Sequence, residues 1–413
     1  MRSRLGGQLP VRLKPVGLVA RSRFRRRVVA GLAALLLAAL TGCHSVGYYA
    51  QAIRGHFHIL SRARPIADRL ADPVTPAPLK EKLQLVLKLR EFAEKKLDLP
   101  ANGHYLRYAD IGRRFAVWNV YAAPEFSLEA KTWWYPLVGN LEYQGYFSEA
   151  KARRYAAKLE GQGFDVYVGG VQAYSTLGWF RDPALNTFID DTEADLADLL
   201  FHELAHQRLF VAGDTDFNEA FATAVAEDGV RRWLSGTSNQ AALHEYLTGL
   251  DRKDQFVALV SKTRAELESL YARVPGGPEA GPVKGAERLA TGVISQKRVV
   301  RVSPEQLRAA KQRIIEQLRH DYELLKAQWS GYDGYDGWFH LPINNAQLND
   351  VDAYYTLVPA FHRIFRASEG ESKHFFREVG ALAKLRKEER HRRLNALLAA
   401  KDEAPAGNAG GVR

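Results

Sequence analysis

The chain has 413 residues, 46% of them hydrophobic and 25% charged, which excludes disorder as its dominant state and leaves room for about two ordinary domains. A single Cys excludes an internal disulfide framework and any Cys-rich zinc or iron–sulfur site. The formal charge of +11 is uneven: residues 1–42 hold nine basic side chains and no acidic one, so 49 basic and 47 acidic groups remain beyond them, a balance of +2. A basic patch that gathers phosphate is therefore not expected, and neither is a nucleic-acid partner.

The basic segment runs into Val28–Leu40 (VVAGLAALLLAAL). Thirteen residues are too few to cross a bilayer comfortably, but they suit the apolar part of a signal peptide behind a positive start. The Leu40-Thr41-Gly42-Cys43 that follows resembles the lipobox of bacterial lipoproteins, and the chain's one Cys stands at the position such proteins lipidate. The resemblance implies cleavage before Cys43 and a lipid anchor in the cell envelope. His44 in place of Asp after the Cys implies, in a cell with two membranes, the periplasmic face of the outer one.

Beyond the anchor, Tyr48–Leu60 and Leu79–Leu97 read as helices separated by the proline-rich DPVTPAP (Asp72–Pro78). From Phe115 the aromatic and β-branched runs FAVWNVY, WWYPLV and LEYQGYF predict strands. The last two are expected to form a hairpin around Gly139-Asn140. A helix over about Glu149–Leu159 leads to FDVYV and VQAYSTL, a second hairpin candidate around Gly169-Gly170. From Asp190 the pattern is helical. Thr192 with Asp195 reads as a capping box for a helix to about Phe210, and a second helix spans about Asp216–Leu234 with Gly229 inside it. Val274–Gly292 reads as a linker. Ser303-Pro304-Glu305-Gln306 opens a long helix with a stripe of Leu307, Ile314, Leu318, Tyr322, Leu325 and Trp329. GYDGYDG (Gly331–Gly337) reads as a turn, and the end from about Lys401 as a disordered tail.

The chemistry lies in Phe201-His202-Glu203-Leu204-Ala205-His206. Residues four apart share a helix face, so His202 and His206 can present two imidazoles to one metal ion, with Glu203 beside them as a base for its water. A hydrolytic zinc site needs a third protein ligand. Leu209 and Ala212 stand where a metzincin would have Gly and His, which excludes that class. Glu219 is preferred, because a helix returning after a short loop brings its first turns opposite the His pair. Asp214 and Asp216 are alternatives, and Glu219 also suits the third position of a capping box begun by Asp216.

HELAHQRLF, then NEAFATAVAEDGVRRWL, preceded by WNVYAAPEFSL and AYSTLGWF, resembles the bacterial putative aminopeptidase family of zinc-dependent lipoproteins, from about Tyr48 to near Leu398. More widely it is similar to the gluzincins, whose third ligand is a Glu on the helix after the motif. Here the gap of 12 residues between His206 and Glu219 is shorter than theirs, and Thr223 replaces their Asp four residues after the Glu.

The resemblance implies an α+β fold: a zincin-like metallopeptidase domain with a mixed sheet and an active-site helix, followed by a mostly helical C-terminal region. The expected divisions are 1–42 signal peptide, 43–100 anchor and N-terminal helices, 101–240 catalytic core, 241–400 helical region and 401–413 tail. Expected with it are Zn2+ on His202, His206 and Glu219, Glu203 as general base, and a peptide substrate attacked from its amino end. Tyr354, or its neighbour Tyr355, is the candidate donor to the oxyanion, whereas His340 and His362 read as structural. Glu125 or Glu142 is a candidate holder of the substrate's ammonium group, and VQAYSTL a candidate edge for pairing with an extended peptide. The alternative is a catalytically silent envelope scaffold that keeps a structural metal.

Overall fold

The computed structural model describes residues 42–135, 139–173, 181–237, 239–272 and 303–399, without the side chains of 43–46 and 352–354. The signal segment, most of VQAYSTL, the Val274–Gly292 linker and the tail lie outside the described residues. Residues through Phe57 form one unit and His58–Arg413 another. The helix Gly42–Arg62 (α1) begins in the first. No helix among the described residues is long and apolar enough to cross a membrane.

After β1 (Arg64–Pro65) and α2 (Ile66–Ala71), α3 (Ala77–Lys96) takes Pro78 into its first turn, where a missing N–H costs nothing. Its Leu83, Val86, Leu89 and Ala93 are buried at helical spacing, so one face of the helix belongs to the core. β2 (Arg107–Ala109) pairs antiparallel with β1 and parallel with β8 (Ala184–Leu185), making a small mixed sheet.

β3 (Val117–Pro124) is buried at every position except Pro124. Continuous burial of this kind requires partners on both sides and cover on both faces. β3 is accordingly the centre of an antiparallel sheet, between β6 (Tyr143–Tyr146) and β7 (Phe164–Val171), and α4 (Glu149–Glu160) packs against it. Two hairpin expectations change here. Gly169 and Gly170 do not turn the chain; they pair with Asn119 and Trp118 inside β7. A glycine is needed because a Cβ at Gly170 would fall 2.4 Å from the Phe115 ring. Likewise β4 (Trp133–Tyr135) pairs with β5 (Gly139–Leu141), with Gly139 and Asn140 in the ladder rather than at its turn, and LEYQGYF splits between β5 and β6. Among the described residues the strands form three small sheets, of which β1–β2–β8 is the mixed one.

The helical remainder comprises α5 (Glu193–Arg208), α6 (Thr215–Gly236), α7 (Gln240–Tyr271), α8 (Pro304–Gln328), α9 (Asp336–Phe339), α10 (Asn345–Tyr355), α11 (Val358–Ala367), α12 (Ser372–Ala383) and α13 (Lys387–Ala399). The architecture is therefore α+β with a helical C-terminal region. Thr192 caps α5 by accepting from the Asp195 N–H at 3.2 Å. Ser303 and Gln306 complete a reciprocal capping box on α8, at 2.9 and 3.3 Å. GYDGYDG is a turn leading into α9, whose Asp336 binds Tyr322 and Lys326 of α8.

The larger core joins α3, α5, α6 and α11–α13, with Phe201, Phe217, Phe221, Phe361 and Phe375 fully buried; each such side chain contributes about 1.5–3 kcal/mol. A second core joins α7, α8 and α10 around Val260, Leu318 and Leu348. Gly229 lies inside α6 because the helix is pressed there: a Cβ would meet Phe201 at 2.7 Å and Leu97 at 2.8 Å. Close packing thus outweighs its poor helix propensity, and α6 continues to Gly236.

Candidate metal centre

α5 and α6 are antiparallel neighbours joined through the short turn 209–214. Buried Asn218 fixes that turn: the Val211 N–H donates to its Oδ1 and its Nδ2 donates to the Val211 carbonyl, both at 2.8 Å. The helix start is capped by Asp214, which accepts from the Phe217 N–H at 3.4 Å. Asp214 rather than Asp216 is therefore the cap, and Glu219 is not a capping residue.

Glu219 instead faces the motif. Its Oε2 lies 3.2 Å from His202 Nε2 and 3.5 Å from His206 Nε2, and the two Nε2 atoms are 3.1 Å apart. Ligands held at about 2.0–2.1 Å in a tetrahedron are separated by about 3.3 Å. The three edges observed bracket that value, so the donor set fits a zinc ion in chemistry and in span. His202 and Glu219 are largely buried and His206 is fully so.

Burial by itself would raise the Glu219 carboxyl, but the His206 and His202 imidazoles outweigh it and hold Glu219 well below the usual carboxylate range. Burial pulls His202 down, and the bond and charge of Glu219, with Glu203 and Asp198, carry it above its ordinary value. Glu203 goes the other way: burial raises it, Glu219 and Asp182 add to the rise, and the two imidazoles only reduce it. Its Oε2 is buried without a hydrogen-bond partner, as is His206 Nδ1. A buried carboxyl oxygen left unpaired costs roughly 1–3 kcal/mol or more, and its place beside two imidazoles makes Glu203 a candidate functional residue.

Asp214 and Asp216 come together with His391, away from the His pair. Asp214 is already bound by Arg390, by His391 at 2.8 Å and by Lys387 at 3.8 Å. Its carboxylate is thus already engaged by two cationic side chains and an imidazole. Tyr354 is in α10, but its side chain lies outside the described residues. Tyr355 is partly buried between the two cores with Lys253 over its ring, and its phenol is pushed up by burial and by Asp198, Asp350, Glu227 and Glu219. His362 forms an ion pair with Glu227 at 2.9 Å, and Lys253 bonds the same carboxylate; they outweigh the upward push of burial and hold Glu227 down at about 2. His340 bonds the Asp336 carbonyl at 2.6 Å. Glu125 is engaged by a fork from Arg308, at 2.5 and 2.9 Å.

Over residues 47–292 and 293–394 the chain matches the family described as Putative aminopeptidase. It belongs to that family. No curated protein and no solved structure matches it.

In this family member, sequence reasoning missed three residues around the cluster. Asn218 gives no signal apart from its place beside Glu219. Tyr105 is buried with a left-handed backbone (φ 58°), and burial and the Glu203 charge both push its phenol up. For a bulky residue this conformation costs about 1–3 kcal/mol, a strain that clusters at functional sites.

The third is Asp350 of α10, which bonds Tyr121 and is raised to about 6 by burial, with Glu219 adding to the rise. Raised above its unfolded value near 3.9, it contributes stability below about pH 4 that is lost as pH rises through about 6. Asp350→Asn is expected to raise stability at pH 8 by about 2–3 kcal/mol and to change it little at pH 4.5. Thermal melts at the two pH values check this; equal shifts at both would show that charge is not the cause.

Proposed function

We propose that the protein is a zinc-dependent peptidase of zincin type, an aminopeptidase as its family's description suggests, with His202, His206 and Glu219 as metal ligands and Glu203 as general base. The observation that carries this reading is the combination of three ligand atoms within 4.8 Å of one another and the unpaired Glu203 oxygen on the same helix face. A zinc ion there would polarise a peptide carbonyl and make a water acidic enough to attack at neutral pH. Glu203, raised by its burial, would accept a proton from the attacking water and pass it to the leaving amine. Glu219, held ionised by the imidazoles, keeps its charge throughout. A donor besides the metal would stabilise the oxyanion, a role we give to Tyr354 or its neighbour Tyr355.

We further place the protein in the cell envelope, anchored by lipid at Cys43 on the periplasmic face of the outer membrane. The support is the basic start, the 13-residue apolar run and the lone Cys that ends it. The silent scaffold with a structural metal is the lesser reading, because such a site has no use for a buried, unpaired carboxylate. Metal analysis and cleavage of a peptide library by the full chain test the proposal. Glu219→Ala is expected to weaken zinc binding by more than about 100-fold, since even loss of an outer partner costs 10–100-fold; undiminished zinc content would remove Glu219 from the ligand set.

A further inference from the structure

α1 carries two stripes on opposite sides. Gln51, Gly55 and Ile59 are buried, and Ile59 belongs to the larger core. Tyr49, Ile53 and Phe57, likewise four residues apart, are 40%, 58% and 60% exposed. Single apolar side chains on a surface need no explanation, but three in helical register form a continuous apolar face. The rings of Tyr49 and Phe57 touch only chain neighbours in the ring contacts they make, Tyr48 at 5.5 Å and His56 at 5.8 Å.

The charge around this face has one sign. Residues 43–67 hold Arg54, Arg62 and Arg64 and no acidic side chain, and the first acidic residue of the whole sequence is Asp68. From Asp68 onward 46 basic groups meet 47 acidic ones, so the positive surplus left after residue 42 lies in this segment. Arg54 is exposed and flanks Ile53. Arg62 donates to the Asp110 carbonyl and Arg64 to the carbonyls of Ser61 and Ala63, neutral acceptors that leave both charges uncancelled.

An exposed apolar stripe edged by arginine matches the boundary of a bilayer with anionic headgroups. Its apolar side chains can enter by about 5–10 Å while arginine meets phosphate at headgroup level. Length selects the orientation. At about 1.5 Å per residue, Phe57 lies about 21 Å along the helix from Cys43. A helix standing upright on a lipid at Cys43 would hold Phe57 in water, whereas a helix lying flat brings the whole stripe to one depth.

We propose that α1 lies flat in the interface of an anionic bilayer, with Tyr49, Ile53 and Phe57 entering the acyl boundary and Arg54 held by headgroup phosphates. This rests on the lipid-anchor reading for delivery to the membrane and adds to it a contact made by the protein itself.

The full chain is purified from membranes and returned to vesicles of phosphatidylethanolamine and phosphatidylglycerol. It carries a fluorophore at Ile53→Cys, at Phe57→Cys or, as a reference in water, at Val74→Cys, where the native side chain is 84% exposed. The parent chain, labelled in parallel, reports any free Cys43. Acyl-chain-brominated lipid is expected to quench the labels at positions 53 and 57 by about threefold or more, and the label at 74 hardly at all, because bromine acts on groups that reach the acyl boundary. Replacing phosphatidylglycerol with phosphatidylcholine is expected to weaken that quenching severalfold; no change would overturn the anionic assignment. Labels at 53 and 57 as open to aqueous iodide as the label at 74 overturn the proposal, because the face is then bare. Labels shielded from iodide yet insensitive to brominated lipid overturn it too, since a second copy or the Val28–Leu40 run then covers the face. The mass of the peptide that holds residue 43 separates the two ideas. A lipid on Cys43 with unquenched labels keeps the anchor and removes the docking face, whereas quenched labels with an unmodified Cys43 keep the face and remove the anchor.

Discussion

Glu203→Gln is expected to leave zinc bound and to lower kcat by about 10²–10⁴-fold, the usual contribution of a positioned general base. The substitution keeps the side chain's volume and leaves the proposed ligands His202, His206 and Glu219 in place. It removes only the ability to accept a proton at an oxygen that no protein group engages. It also removes the negative charge that helps carry His202 above its ordinary value, so some change in the pH dependence of metal binding accompanies the loss. Metal content by mass spectrometry and turnover of a library peptide are the two readings required. Activity within tenfold of wild type would place the base elsewhere. Zinc in both proteins with cleavage by neither would favour the scaffold.

Arg390→Met is expected to cost about 3–5 kcal/mol, the usual penalty for leaving a buried charge without its partner. Arg390 is 4% exposed and bonds the Asp214 carboxylate, the Leu382 and Leu385 carbonyls and the face of Phe217. Urea unfolding should show a lower midpoint at an unchanged slope. Because Asp214 also caps α6, the same variant should hold zinc less tightly even though residue 390 is far in sequence from every proposed ligand. A loss below about 1 kcal/mol would mean that His391 and Lys387 suffice for Asp214.

The parts of this fold that were legible are the parts written in local periodicity. α5 and α8 begin at their capping residues, Thr192 and Ser303, and α3 and α6 lie close to their apolar stripes, because a cap and a stripe are each contained in one stretch of chain. The His202, Glu203 and His206 arrangement was legible for the same reason. What failed was pairing. Gly139-Asn140 and Gly169-Gly170 carry the composition of turns, yet both continue strands, since register is decided by the partner strand and by ring packing such as Phe115 on Gly170. Asp214 was weighed only as a ligand because its true partners lie 176 and 177 residues later. The place of Asp350 depends on α10 meeting β3, a contact that no local pattern announces.

The Asp214 cluster has a consequence in time. The residue that caps the Glu219 helix receives its counter-charges from α13, the last helix among the described residues, and closing a loop of 176 residues costs entropy that nearby contacts do not repay in advance. A chain delivered from its amino end can form the His202–His206 helix early, but the residue that caps the Glu219 helix lacks its counter-charges until α13 has arrived. A chain that ends before Arg390 would therefore carry the whole His-Glu-x-x-His motif with the Asp214 carboxylate deprived of its α13 partners Arg390 and His391.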